Sequence, residues 1–218
     1  MMSKTQQAGA RPARPLPMLI ALTIALAAHQ AGAEPGAVEK NRARLLATNA
    51  CAGCDLAGVK LPGQNLLGAD LRDADLSHAN LRGAFLTGAN LTKARFVGVD
   101  LTDAVIGGAS MAGADLQDGK LAGVNANRTS FTQANLTRVD FNGALMERAD
   151  MEGTNLSGAR FKDSDLYEAR FLFAEMADTD FSGANLHAAD FSEAEVSGMR
   201  TDARTTCPNL EPGPCIFQ

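Results

Sequence analysis

A five-residue unit recurs in the stretch Ala69-Asp70-Leu71-Arg72-Asp73-Ala74-Asp75-Leu76-Ser77-His78-Ala79-Asn80-Leu81. The same register continues without a slip and gives 29 central positions, all of them large and apolar except Ala126. These positions are Leu56, Leu61, Leu66, Leu71, Leu76, Leu81, Leu86, Leu91, Phe96, Leu101, Ile106, Met111, Leu116, Leu121, Ala126, Phe131, Leu136, Phe141, Met146, Met151, Leu156, Phe161, Leu166, Phe171, Met176, Phe181, Leu186, Phe191 and Val196.

Neither an α-helix nor a flat strand keeps all of these residues on one side. A five-residue step turns an α-helix by about 500°, which would scatter the central residues around its surface. In a strand, an odd step would alternate them between the two faces. A square coil solves both problems, because a chain that turns once every five residues keeps each centre inside. The pattern predicts about seven coils stacked at ~4.8 Å.

The flanking residues fit the same coil. A small residue usually lies two before the centre, as at Ala69 and Ala74, and would fill the interior beside the large one. Glycine often lies two after it, as at Gly58 and Gly63, where a corner requires a tight backbone.

These units resemble the pentapeptide-repeat family, whose consensus is Ala-(Asp/Asn)-Leu-x-x. The resemblance covers residues 51–200 and implies an all-β fold, a right-handed quadrilateral parallel β-helix. The lead-in at residues 45–56 also resembles that of many exported bacterial members. The resemblance implies little about activity, because most members have none assigned.

The segments on either side of the repeat have separate predicted roles. Lys4, Arg11 and Arg14 precede an apolar run at residues 16–28 and the small residues 31–33, the order of a secretory signal peptide. The run is shorter than the ~20 residues that span a bilayer, so we expect no stable membrane anchor after residues 1–33 are removed. Residues 34–50 predict a helix that caps the first coil, and residues 201–218 predict a C-terminal tail with a disulfide loop. The expected location is periplasmic or secreted.

Four cysteines bracket the repeat as two close pairs, Cys51 with Cys54 and Cys207 with Cys215. In an oxidising compartment they predict two local disulfides, one of three possible connectivities, since the pairs lie at opposite ends of the rod. The Cys51–Cys54 spacing also matches a redox motif, but the βαβ context of that motif is missing.

The sequence predicts no catalytic, cofactor or metal site. Only His78 and His187 remain after signal removal, and they fall on different faces without a second ligand at zinc spacing. The glycines follow the corner pattern rather than that of a phosphate loop. Removal of the three basic residues changes the formal net charge from −5 to −8, which disfavours binding to a nucleic-acid backbone.

One outward column differs from the three mixed, polar ones. Its apolar residues, called the apolar face below, are Leu67, Phe85, Val105, Leu145 and Tyr167. Asn125, Asn127 and His187 are interleaved with them. A contiguous apolar stripe is a candidate surface for a protein partner or for self-association. Alternatively, a terminal segment covers it, or its residues are the scattered apolar residues of any surface.

Three functions follow from these features. The leading hypothesis is a non-enzymatic structural or protein-interaction scaffold of the bacterial envelope. The resemblance supplies the alternative, because some cytosolic members protect DNA gyrase from quinolones with an acidic, DNA-like rod. The signal peptide stands against it, as do Arg72, Arg148 and Arg160 among the acids. A thiol redox protein acting through Cys51 and Cys54 is the third.

Overall fold

The chain is a stack of square coils joined by parallel pairing. The computed structural model describes residues 36–215, so the predicted signal peptide at 1–33 lies outside the described residues. From Ala50 to Asp180, each outward residue before a centre pairs in parallel with the residue 20 positions later, as Asp70 does with Asn90. This spacing confirms the predicted quadrilateral β-helix. Two continuous strands, β1 (Glu175–Ala177) and β2 (Glu195–Ser197), pair in parallel near the C-terminal end.

Backbone hydrogen bonds hold each side of a coil in two directions. The Leu71 amide donates to the Asn90 carbonyl of the next coil at 2.8 Å, and the Asn90 amide donates back to Ala69 at 2.9 Å. Within the coil, the Ala74 amide donates to the Leu71 carbonyl at 3.2 Å and closes a turn. Its third residue, Asp73, has a φ of 56°. The same position has a positive φ after every centre from Leu56 to Val196, which explains its glycines.

Asp and Asn are common just before the centre because their side chains also bond the turn. The Asp75 carboxylate accepts a hydrogen bond from the Ser77 amide at 2.9 Å, and the Asn90 side chain accepts one from the Thr92 amide at 3.2 Å. Such Asx turns satisfy a backbone donor that the coil pairing leaves open. The outward residue that serves the fold best is therefore polar and short.

The interior holds the central side chains together with the small ones. Where Thr or Ser replaces interior Ala, its hydroxyl donates to a carbonyl, as Thr129 does to Ile106 at 2.8 Å. In the C-terminal half the core is aromatic: Phe161 stacks between Phe141 and Phe181, with ring centroids 5.0 Å apart on each side. Parallel stacking places identical side chains in register, so one Phe column becomes a continuous stack.

A helix closes the N-terminal end of the rod. Helix α1, Ala37–Thr48, packs the buried Leu45 onto the first coil and ends at Asn49 in the left-handed conformation. Two side-chain amides fasten it: Asn41 donates to the Asp55 carbonyl at 2.9 Å and Asn49 to the Leu67 carbonyl at 2.7 Å. Within residues 36–215, no helix is long and apolar enough to cross a membrane.

The C-terminal end of the rod departs from the 20-residue spacing. After residue 200 the chain gains a single extra residue, so Thr206 rather than residue 205 pairs with Asn185. Thr206 then pairs antiparallel with Pro212, and the Cys207–Cys215 disulfide closes this loop, with Cys207 buried against the rod. The loop covers only part of the last coil, and Val196 of β2 stays 38% exposed.

A buried carboxylate ties the last coils together. Asp180 is only 4% exposed and lies 3.3 Å from the Lys162 ammonium and 3.5 Å from the Arg200 guanidinium. Burial by itself would raise the pKa of Asp180, but hydrogen bonds from Ser182 and Lys162 together hold that pKa below its ordinary value.

Asp180→Asn should make the stability of the fold less dependent on pH in the acidic range. Because the folded-state pKa is lowered, the Asp180 charge stabilises the fold above its ordinary pKa of 3.8 and ceases to do so as pH falls through the folded value. We expect a smaller loss of the urea midpoint between pH 7 and pH 3 than in the parent chain. Asp73→Asn, at an exposed corner, serves as the control at pH 7. An identical pH profile in Asp180→Asn and the parent would contradict the assignment.

Candidate protein-interaction face

The structure places the five predicted residues of the apolar face along one side of the rod. Leu67, Phe85 and Leu145 are 52%, 46% and 47% exposed, whereas Val105 and Tyr167 are half-buried. A ladder of parallel pairs joins them through Asn65, Phe85, Val105, Asn125, Leu145 and Asp165. No segment among residues 36–215 covers the three exposed side chains, so the alternative of a covering segment is not met within that range.

Phe85, Val105 and Leu145 occupy a position that carries an Asx-turn acceptor in many other units, as at Asp75 and Asn90. An alkyl or phenyl side chain cannot accept the amide hydrogen two residues on. For Leu145 the neighbouring coil compensates, because the Asn127 side chain accepts the Glu147 amide at 2.8 Å. The apolar residues therefore remove the side-chain hydrogen bond to the turn amide. At Leu145, a side chain of the preceding coil accepts that amide instead.

A groove of about 480 Å³ lies in the middle of the apolar face. Val105 and Asn125 line it, and Gly107 and Gly108 leave one side open because they have no side chains. The remaining lining residues are Thr87, Asn127, Arg128 and Glu147. The apolar pattern of the sequence does not include Thr87, Arg128 and Glu147; the adjacent glycines at 107 and 108 were the available signal of a groove.

The C-terminal end of the face is a compact polar cluster. The Arg148 guanidinium bonds the carboxylates of Glu147 and Glu168 and lies 5.9 Å from the centroid of the Tyr167 ring, a cation–π distance. A hydrogen bond to Glu168 raises the pKa of the Tyr167 hydroxyl, while bonds from Arg148 and Tyr167 lower the pKa of Glu168. The His187 ring lies 5.4 Å from that of Tyr167. Arg148 thus pairs with two carboxylates, and the acids of the cluster outnumber its guanidinium by one.

Charges on the other faces pair between coils. Arg95 bonds Asp75 at 3.2 Å, and Arg160 bonds Asp140 at 2.8 Å, in each case 20 residues apart. Asp118 and Arg138 form a bidentate pair at 2.7 and 2.8 Å. Alternation of sign along these columns leaves no continuous acidic face on the described coils.

The remaining predicted site residues are the four cysteines. Cys51 bonds Cys54 and Cys207 bonds Cys215, each at an end of the rod. Cys51 is fully buried and Cys54 is 6% exposed, so neither sulfur is open to an incoming thiol in the folded rod. Between residues 36 and 215, no three His, Cys, Asp or Glu side chains are grouped to hold a metal ion.

Comparison with known proteins identifies the repeat. Eight copies of the family profile described as pentapeptide repeats match residues 51–88, 69–108, 109–148, 144–183 and 164–199, more than half of the chain. The chain belongs to the pentapeptide repeat family. Pentapeptide repeat proteins fold as right-handed quadrilateral β-helices, which agrees with the pairing described above.

Two solved pentapeptide repeat structures illustrate the likeness. HetL, involved in heterocyst differentiation regulation in the cyanobacterium Nostoc sp. strain PCC 7120, is 22% identical with a TM-score of 0.55, over 76% of this chain and 88% of HetL. A trypsin-treated form of QnrB1, a plasmid-mediated fluoroquinolone resistance protein, is 17% identical with a TM-score of 0.41, over 69% and 84%. The likeness to HetL shows the fold alone. No curated protein matches this chain significantly.

Replacing Phe85 and Leu145 together by Asn should leave the fold at least as stable. At residue 85, Asn supplies the missing acceptor to the turn, a bond worth about 0.5–1.5 kcal/mol. At residue 145 the gain is smaller, because the Asn127 side chain already accepts the Glu147 amide. Both side chains are nearly half exposed, so little core packing is lost. Urea denaturation followed by circular dichroism measures the change.

The control is Met146→Asn, one residue along the chain, where the side chain is fully buried. That change should cost at least ~2 kcal/mol, because it leaves a cavity and a buried amide. A comparable loss in the Phe85→Asn, Leu145→Asn variant would mean that the apolar face belongs to the core.

Proposed function

We propose that this chain is a non-enzymatic scaffold of the bacterial envelope that holds a protein partner on the apolar face. One observation carries the proposal: Phe85, Val105 and Leu145 stand where the fold is served better by Asp or Asn. None of the three side chains can accept the turn amide, which Asp or Asn accepts at this position in many other units, as at Asp75, Asn90 and Asn155. Residues that do not support the local turn and that expose apolar surface indicate a role in binding rather than in folding.

The rod suits such a role because it is already ordered. The apolar face stands on a ladder of backbone pairs that runs from Asn65 to Asn185, so its side chains keep a fixed spacing. Binding to a preformed surface spends little free energy on ordering the backbone.

The envelope location rests on the two ends of the chain. The basic, apolar and small-residue segments at 1–33 have the order of an export signal. The disulfides Cys51–Cys54 and Cys207–Cys215 persist in oxidising compartments such as the periplasm. The DNA-mimic alternative finds no support in the charges, because Arg95, Arg138 and Arg160 interrupt the acidic columns.

Photo-cross-linking from the apolar face tests the binding role. A photoreactive residue at Thr87, which lies beside the groove and is exposed, should capture a defined protein in the native cell. The Phe85→Asn, Leu145→Asn variant should lose that product. Ser110→Asn together with Ser130→Asn is the matched control, with the same position in the repeat on another face. Equal cross-linking in the two double variants would refute the role of the apolar face.

Cell fractionation tests the location. The mature protein should appear in the periplasmic or secreted fraction, with an N-terminus near Glu34 by mass spectrometry and with all four cysteines oxidised. A purely cytosolic protein that retains residues 1–33 would overturn the envelope assignment. It would leave the binding role of the apolar face untouched.

A further inference from the structure

Arg128 differs from the other arginines of the coils because no carboxylate of residues 36–215 forms an ion pair with it. Every other arginine between residues 51 and 215 pairs with Asp or Glu, namely Arg72, Arg82, Arg95, Arg138, Arg148, Arg160, Arg170, Arg200 and Arg204. Arg128 is exposed at a corner of the rod and lines the groove of the apolar face. Its guanidinium is therefore available to an anion that a ligand brings.

The other polar side chains of the groove also offer hydrogen-bond donors. The Asn125 side-chain oxygen accepts a hydrogen bond from the Asn127 amide at 3.3 Å, and the Asn127 side-chain oxygen accepts one from the Glu147 amide at 2.8 Å. With these oxygens engaged, each Asn has its NH2 group left for a ligand. Glu147 also lines the groove, but Arg148 already bonds its carboxylate at 2.8 Å. The groove therefore suits a ligand group with a single negative charge.

This set of donors matches a carboxylate better than a phosphate. A guanidinium binds a carboxylate through two parallel N–H···O hydrogen bonds, and a side-chain amide can donate a further one. A phosphate monoester carries close to two negative charges at neutral pH. Arg128 is one unpaired cation, and the nearby carboxylate of Glu147 disfavours a second negative charge on the ligand. The chemistry favours the side chain of Asp or Glu.

The apolar residues on either side of the groove set the spacing of the ligand. Phe85 pairs with Val105 at one end of the groove, and Leu145 pairs with Asn125 at the other, so three coil steps separate Phe85 from Leu145, about 14 Å. In an extended peptide, residues i, i+2 and i+4 point to one side, and the outer two lie about 13 Å apart. An acid with an apolar residue two positions away on each side therefore fits this length.

The size of the surface also selects a short segment. Three coil steps on one side of the rod offer far less than the roughly 800 Å² that each partner contributes to a standard interface. A folded domain would leave most of its own surface without contacts there. An extended segment of about five residues is the occupant that this surface can match along its whole length.

We propose that the apolar face binds an extended segment of the partner with the pattern apolar–x–acid–x–apolar, whose central carboxylate bonds Arg128. The inference rests on the proposed function, since it names the class of segment that the face holds. Phe85 and Leu145 contact the outer apolar side chains. Arg128 determines specificity, because it distinguishes an acid from a neutral residue at the centre of the segment.

Peptide titration followed by NMR tests the pattern. The probe is the capped peptide Gly-Leu-Thr-Glu-Thr-Leu-Gly, added to the ¹⁵N-labelled protein. The backbone amide signals of Thr87, Gly107, Gly108 and Asn127 should shift progressively with peptide concentration. The same peptide with Gln in place of Glu should bind about tenfold or more weakly, because it loses the charge-assisted hydrogen bonds. Absence of binding by the Glu peptide, or equal affinity of the two peptides, would overturn the proposal.

Substitutions at Arg128 test the specificity residue. Arg128→Gln should weaken binding of the Glu peptide about tenfold or more, whereas Arg128→Glu should prefer the peptide with Lys at its centre. Both changes should leave the fold intact, because Arg128 is exposed and has no ion pair to lose among residues 36–215. Arg138→Gln, at the same corner position on another face, is the matched control and should not change the affinity. An unchanged preference in both Arg128 variants would contradict the inference.

Photo-cross-linking in the cell separates this inference from the proposed function. The product captured at Thr87 should be lost in Arg128→Gln and retained in Arg138→Gln, and its cross-linked site should carry the spaced pattern. A product that depends on Phe85 and Leu145 but not on Arg128 overturns the carboxylate inference and leaves the proposed function standing. Absence of any product that depends on Phe85 and Leu145 overturns both.

Discussion

Hydrogen bonding between coils is the constraint on which every other feature of this rod depends. Leu71 and Asn90 illustrate it: each residue beside a centre donates to or accepts from the coil 20 residues away. No coil satisfies its own backbone, so the first and last coils each have one open side. Helix α1 closes the first, with Asn41 and Asn49 bonded to backbone carbonyls of the coil, and the disulfide loop closes part of the last.

Hydrogen bonding between coils also determines which positions of the repeat are needed for the fold and which can vary for another function. Central and small positions face inward, and the corner needs a positive φ, so three of five positions are committed. The residue before the centre is partly committed through the Asx turn, and the one after it is the least restricted. Phe85, Val105 and Leu145 can be recognised as exceptions because the preference for Asp or Asn at this position has a physical cause, the Asx turn.

The sequence was sufficient to predict the repeating coil, but it did not predict the places where the coil departs from its regular pattern. Leu71 and Ala74 could be assigned to the interior because a five-residue period admits one regular solution. The bond from the Glu147 amide to Asn127 could not be foreseen, because it joins neighbouring coils and replaces an acceptor lost at Leu145. The step to Thr206 was also missed, since one added residue after residue 200 breaks the period that made the rest predictable. The apolar face was found from the column pattern, whereas its groove depends on side-chain volume at Gly107 and Gly108.

The five-residue corner makes rotation and length separate variables in this rod. Removing five residues between Val105 and Leu145 would turn everything after the deletion by one side of the square, and Leu145 would join a different face. Removing twenty would shorten the rod by one coil and keep the face aligned. Single-residue changes fit neither rule, and the one that the structure contains lies at residues 201–206, where few coils follow it. Duplication and loss of whole coils can therefore alter the reach of such a protein while its side-chain columns stay straight.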